Sequence, residues 1–174
     1  LAKFGADIHV NGRTITCSGK KKLNNPSETI MIPSDVSSAA FFLVLGLIRP
    51  NTALRIRNVG LNPTRATIIQ VLEKMGAKIK VENIKELQFE PYGDITVETS
   101  ELHNITIPEN IIPFIIDEIP ILSIAALFAK GTMKITGAQE LRLKESDRIK
   151  AIEKMVIAFG GQIKVYEDGF EMTA

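Results

Sequence analysis

Apolar and polar positions alternate along this chain in two rhythms, one of helices and one of strands. Val36–Ile48 is apolar on nearly every side, which predicts a helix buried all round. Asp35 stands at its start, and Arg49-Pro50-Asn51 breaks the chain after it. Ala53–Arg57 alternates at the two-residue period of a strand. Asn62-Pro63 predicts a second helix start, since asparagine can cap and proline fits a first turn. Ile68, Val71, Leu72 and Met75 supply that helix with one apolar face. Gly76 reads as its left-handed stop, and Lys78–Glu82 and Asp94–Glu98 return as strands.

The same order recurs downstream. Asp117 precedes the apolar helix Ile119–Ala129, Gly131 ends it, and Thr132–Thr136 is a strand. Ser146-Asp147 opens a helix with Ile149, Ile152, Val156 and Phe159, stopped by Gly160-Gly161 before the strand Gln162–Tyr166. Phe4-Gly5-Ala6-Asp7-Ile8-His9-Val10 is echoed by Met75-Gly76-Ala77-Lys78-Ile79-Lys80-Val81 and by Phe159-Gly160-Gly161-Gln162-Ile163-Lys164-Val165. A period of roughly 70–85 residues indicates one copied structural element. The fold class is therefore α/β, with helices covering a sheet; strand order stays open. The first echo stands at the start of the chain, without the helices that should precede it. Residues 1–34 are accordingly expected to be the closing strands of a preceding domain and a hinge. Two copies follow, 35–115 and 116–174, and the chain reads as a slice of a longer repeat protein.

Composition narrows the partners. At 174 residues, with 45% hydrophobic and 24% charged, the chain is globular in character. A net charge of +1 offers no electrostatic reason to expect nucleic acid, and Lys20-Lys21-Lys22 reads as a solvated loop tip. The longest apolar runs, Ala39–Ile48 and Ile119–Ala129, are about half of what a bilayer requires, so no membrane partner is expected. The single cysteine, Cys17, forms no internal disulfide and sits in an alternating run, where a packed thiol is expected. His9 and His103 have no partner at ligand spacing, and no metal is expected.

Two places can carry chemistry. Asp35 and Asp117 occupy the same phase of the repeat, and each can be a simple N-cap. If the helix starts converge, their free N–H groups and partial positive charge also make a site for a phosphate or carboxylate. The densest polar run is Arg142-Leu143-Lys144-Glu145-Ser146-Asp147-Arg148. It can be a salt-bridged surface turn. Alternatively, Lys144 and Arg148 hold an anionic substrate, and Glu145, if desolvated between domains, is raised in pKa and transfers protons.

Three segments sharpen this. Asp35-Val36-Ser37-Ser38-Ala39-Ala40-Phe41-Phe42-Leu43, the run from Asp117-Glu118-Ile119-Pro120 to Ala129-Lys130-Gly131-Thr132, and Leu143-Lys144-Glu145-Ser146-Asp147-Arg148-Ile149 resemble motifs of one family. That family is 5-enolpyruvylshikimate-3-phosphate synthase, or 3-phosphoshikimate 1-carboxyvinyltransferase. The similarity runs over essentially the whole chain, and the Lys-Glu-Ser-Asp-Arg signature is its most specific part.

The resemblance implies a two-domain, inside-out α/β barrel of six βαβαββ units, three per domain. It implies transfer of the enolpyruvyl group of phosphoenolpyruvate to the 5-hydroxyl of shikimate-3-phosphate with release of phosphate, in aromatic amino-acid biosynthesis. No cofactor, a cytoplasmic location and a monomeric parent enzyme are expected with it. By position, Asp117 resembles the carboxylate that contacts the shikimate hydroxyl and accepts its proton. Lys144 resembles a shikimate-3-phosphate contact, and Glu145 the group that moves a proton at the phosphoenolpyruvate methylene. Arg148 resembles an arginine on the phosphoenolpyruvate carboxylate, and Asp35 a structural hinge aspartate.

Ser34 departs from the family's usual glycine. The family's N-terminal Lys-Ser segment, serine-rich sugar-phosphate site and late arginine and lysine have no counterpart here. This chain alone is therefore expected to show no turnover, and to self-associate through the face a third copy would cover. Two rival readings remain: an enzyme like UDP-N-acetylglucosamine enolpyruvyl transferase, and a non-catalytic, truncated interaction module. The first relies on a reactive loop cysteine, for which the strand-borne Cys17 is a poor candidate.

Overall fold

The computed structural model describes residues 1–19, 21–25, 29–86 and 90–174, so Lys20 of the basic run lies outside it. The chain divides into two compact units, Leu1–Ile32 and Pro33–Ala174. In the first, strand β1 (Asp7–Asn11) pairs antiparallel with β2 (Thr14–Ser18). Gly12, at φ 58°, makes the turn between them. Cys17 is exposed in β2, contrary to the packed thiol expected. Its unit has only this two-stranded ribbon and a 3-10 turn among its described residues, and such a ribbon builds no core around a thiol.

In the second unit, helix α1 spans Val36–Ile48, β3 Ala53–Gly60, α2 Thr67–Lys74, β4 Lys78–Glu86 and β5 Pro91–Glu98. Then come β6 (Thr106–Ile107), α3 (Ile119–Ala126), β7 (Met133–Ile135), α4 (Arg148–Ala158), β8 (Gln162–Val165) and β9 (Phe170–Thr173). They form two sheets, ordered β3-β5-β4 and β6-β7-β9-β8. β6 runs parallel to β7, and the remaining pairs are antiparallel. In the first copy a single parallel bridge, Ser34 to Val59, stands where β6 stands in the second. Both copies thus share one strand order, which the pattern of the sequence left open. Because β6 pairs with β7, the second copy's sheet begins at Thr106, ahead of the division expected at residue 116. A two-residue strand is too short to leave a periodic signature.

Helix α1 has the bounds its pattern predicts, and Asp35 caps it by accepting from the Ser38 N–H and hydroxyl, both at 2.9 Å. It is not buried all round. Phe41, Phe42 and Leu45 are exposed on one side, while Ala40, Leu43 and Leu47 are sealed on the other. Gly46 lets this side lie close to β5, since a Cβ there would come within 2.6 Å of Val97 Cγ2. Helix α2 starts at Thr67 instead of Asn62-Pro63. Asn62 does cap, accepting from the Thr64 N–H at 3.0 Å, but what it closes is a separate turn. Helix α3 stops at Ala126, and the N–H groups of Phe128 and Ala129 reach back three residues instead of four.

One apolar core joins both copies. Leu43, Leu47, Ile68, Leu72 and Ile95 meet Ile119, Leu122, Met133, Ile149 and Phe170 within it. Burying each such side chain is worth about 1.5–3 kcal/mol, which makes this core the framework that fixes the helix starts. No helix among the described residues is long and apolar enough to cross a membrane.

Candidate active site

Asp147 opens α4 in extended geometry, and its Oδ1 accepts from the Lys150 N–H at 3.0 Å. Arg148 is therefore the first helical residue, its side chain leaving the helix mouth. Its Nη1 donates to Asp117 Oδ1 at 3.0 Å and its Nη2 to Glu145 Oε2 at 3.0 Å. Lys144 Nζ lies 3.6 Å from the same Asp117 oxygen and 3.3 Å from Glu140 Oε1. One carboxylate oxygen thus faces two cations.

Asp117 caps no helix among the described residues, which leaves its side chain for these contacts. The N-cap of α3 is Glu118, whose side chain makes no capping bond, so the expectation that both repeat-phased aspartates open helices holds for Asp35 alone. Glu118 is buried and accepts instead from the Ser37 hydroxyl on α1. Ser37 in turn accepts from Arg65 Nη2 at 2.8 Å. The starts of α1, α3 and α4 are thereby linked, through Ser37–Glu118 and Asp117–Arg148. Asp35 stays outside the charged cluster, its carboxylate held by Ser38 and 3.5 Å from Arg65. Burial pushes its pKa up, but the Ser38 hydroxyl and the Ser37 and Ser38 N–H groups outweigh it and leave it lowered.

Within this chain Glu145 is not desolvated. Its side chain is 82% exposed. A bond from its own backbone N–H, then the Arg148 guanidinium, hold its carboxyl below the ordinary value. Exposure to water removes the low-dielectric penalty that a raised pKa requires. In this arrangement Glu145 is a carboxylate paired with a cation.

Ser37, Arg65, Glu118 and Glu140 were not singled out in the sequence. Glu118 carries a faint signal, a second acid at the mouth of an apolar helix. Ser37 lies within the motif segment Asp35–Leu43 without a role of its own there, and Arg65 and Glu140 carry no signal, because their roles depend on contacts across the fold.

The chain matches the family model for EPSP synthase (3-phosphoshikimate 1-carboxyvinyltransferase) over residues 1–174. A 3-phosphoshikimate 1-carboxyvinyltransferase of Geobacillus thermodenitrificans is 47% identical over 166 residues, 95% of this chain and 38% of that protein. One from Petrotoga mobilis is 48% identical over 172 residues, 99% of this chain and 40% of that protein. The solved structure of EPSP synthase from Acinetobacter baumannii superposes with a TM-score of 0.92 at 40% identity, covering all of this chain and 39% of that one. The chain spans about two fifths of the length of the relatives it matches. Its fold is the inside-out α/β arrangement of the enolpyruvyl transferases. With the repeat, the charged helix mouths and the match over the full chain all in agreement, this chain belongs to the EPSP synthase family.

Proposed function

We propose that this chain supplies part of a site where the enolpyruvyl group of phosphoenolpyruvate passes to the 5-hydroxyl of shikimate-3-phosphate, releasing phosphate. The observation that carries this reading is Arg148, held between Asp117 and Glu145 while Lys144 faces the same Asp117 oxygen. In this reading Asp117, oriented by Lys144 and Arg148, accepts the proton of the attacking hydroxyl as its oxygen bonds to the enol carbon. Glu145 delivers a proton to the methylene carbon. In the second half phosphate departs with the proton that Asp117 held, and Glu145 takes a proton back from the methyl group to restore the double bond.

Arg148 suits a carboxylate because its planar fork can meet both oxygens. A substrate carboxylate taking that fork would displace Glu145 and raise its proton affinity, so that more of it is protonated and available as a general acid. Holding two reactants in line can supply on the order of 7–11 kcal/mol of the barrier. Residues 35–174 then serve as two of the three copies of one domain, with 1–34 belonging to the preceding domain and hinge. A cytoplasmic location goes with the reading. The UDP-sugar alternative is not favoured, since the relatives above carry the shikimate name.

The test is a graft, with this chain replacing the matching segment of the Geobacillus thermodenitrificans relative. Phosphate release that needs both substrates is expected. A graft that folds, judged by its thermal transition, yet binds neither substrate would sink the proposal.

A further inference from the structure

Arg142 belongs to the charged run of Lys144, Glu145 and Arg148, yet its guanidinium is committed elsewhere. Nε donates to the Glu167 carbonyl at 2.7 Å, Nη2 to the Tyr166 carbonyl at 2.5 Å and Nη1 to Asp147 Oδ2 at 2.8 Å. Tyr166 and Glu167 lie in the turn between β8 and β9, closed by the Tyr166 N–H on the Gly169 carbonyl at 2.8 Å. The other oxygen of Asp147 caps α4. One planar group therefore ties a hairpin turn to a helix cap, and the Arg142–Asp147 contact closes the base of the loop between them. That loop carries Lys144 and Glu145 and hands directly to Arg148. Leu143 within it is 83% exposed, so apolar burial does not seat the loop at that point. A lysine could satisfy only part of this pattern, because the three acceptors match the fork geometry of a guanidinium.

We infer that Arg142 is a positioning residue: by clasping the two ends of its loop to the β8–β9 turn, it sets Lys144 and Arg148 against Asp117. Its consequence for catalysis rests on the proposed reading of that site, but its structural content does not. The experiment uses the 174-residue chain, isotope-labelled and followed by NMR. Methyl signals of Ile149, Val156 and Met172 report the core. The Arg148 guanidinium N–H signals, kept distinct while two carboxylates hold the group, report the clasp. With Arg142→Ala, we expect unchanged core methyls and loss of the distinct Arg148 signals, restored by millimolar guanidinium chloride. Arg142→Lys should lose them too, and it carries the test alone if the alanine variant does not fold. Arg148 signals that persist in either folded variant overturn the inference, as does an Arg142→Ala loss that guanidinium leaves unrestored. None of these readouts needs turnover, so an inactive graft would count against the reaction and not against the clasp.

Discussion

Asp117 Oδ1 stands 3.0 Å from Arg148 Nη1 although 31 residues separate the two. The mouth of α3 and the first turn of α4 meet at this contact, and Lys144 approaches the same oxygen. A carboxylate flanked in this way keeps a fixed orientation while remaining 44% exposed, so a hydroxyl can still reach it.

Replacing that acceptor tests the role most directly. In the grafted enzyme, Asp117→Asn keeps size and some hydrogen bonding but cannot take a proton. Turnover is expected to fall by about 10²–10⁴-fold, the range of a lost general base, with substrate binding largely kept. Steady-state kinetics on both substrates decide it, and unaltered turnover would remove Asp117 from the chemistry.

Substrate binding should draw a proton from solution. Glu145 is lowered in the free chain by its own N–H and by Arg148. A ligand carboxylate that takes Arg148 removes one of these causes, so the pKa rises on binding. Uptake is largest between the lowered free value and the raised bound value, and fades on either side. Calorimetry of phosphoenolpyruvate binding to the graft, repeated in buffers of different ionisation heat at several acidic pH values, measures it. Glu145→Gln should abolish the buffer dependence.

Acid stability has a separate source. Asp94 on β5 accepts from Asn83 Nδ2 at 2.9 Å, Arg55 Nη2 at 2.7 Å and the Asn58 N–H at 3.0 Å. Together these hold its carboxyl well below the usual carboxylate range, with the Asn83 bond the largest cause. Asn58 and Asn83, at φ 55° and 53°, sit at register shifts in β3 and β4 on either side of it. A depressed folded pKa contributes stability that is full above the unfolded value and is lost as pH falls toward the folded one. Asp94→Asn should therefore be less stable than the parent at pH 7, with a flatter decline between about pH 5 and 2. Urea unfolding across that range shows whether the two curves converge.

Ser37 tests how the helix mouths are joined. Ser37→Ala leaves the buried Glu118 without the hydroxyl that it accepts from. An unsatisfied buried acceptor costs about 1–3 kcal/mol. Denaturant unfolding of the chain should register that loss, and the double variant Ser37→Ala with Glu118→Leu should recover part of it. Equal stability of Ser37→Ala and parent would show that Glu118 does not depend on Ser37.

What the sequence determined by itself was local and periodic. The bounds of α1, the glycine stops at Gly76 and Gly160, and the repeat of helix and strand all follow from spacings of two to four residues, because neighbours along one element share a face. The Lys144–Arg148 run stood out as excess charge at a helix mouth. Tertiary structure alone decided that both sheets share one strand order, and that Ser34 and Thr106–Ile107 hold equivalent places. It also decided that Asn62 caps a turn, that Asp117 leaves capping to reach Arg148, and that Glu145 lies in water beside Arg148. A charge state or a cross-sheet partner depends on groups tens of residues away, and no local period carries that distance.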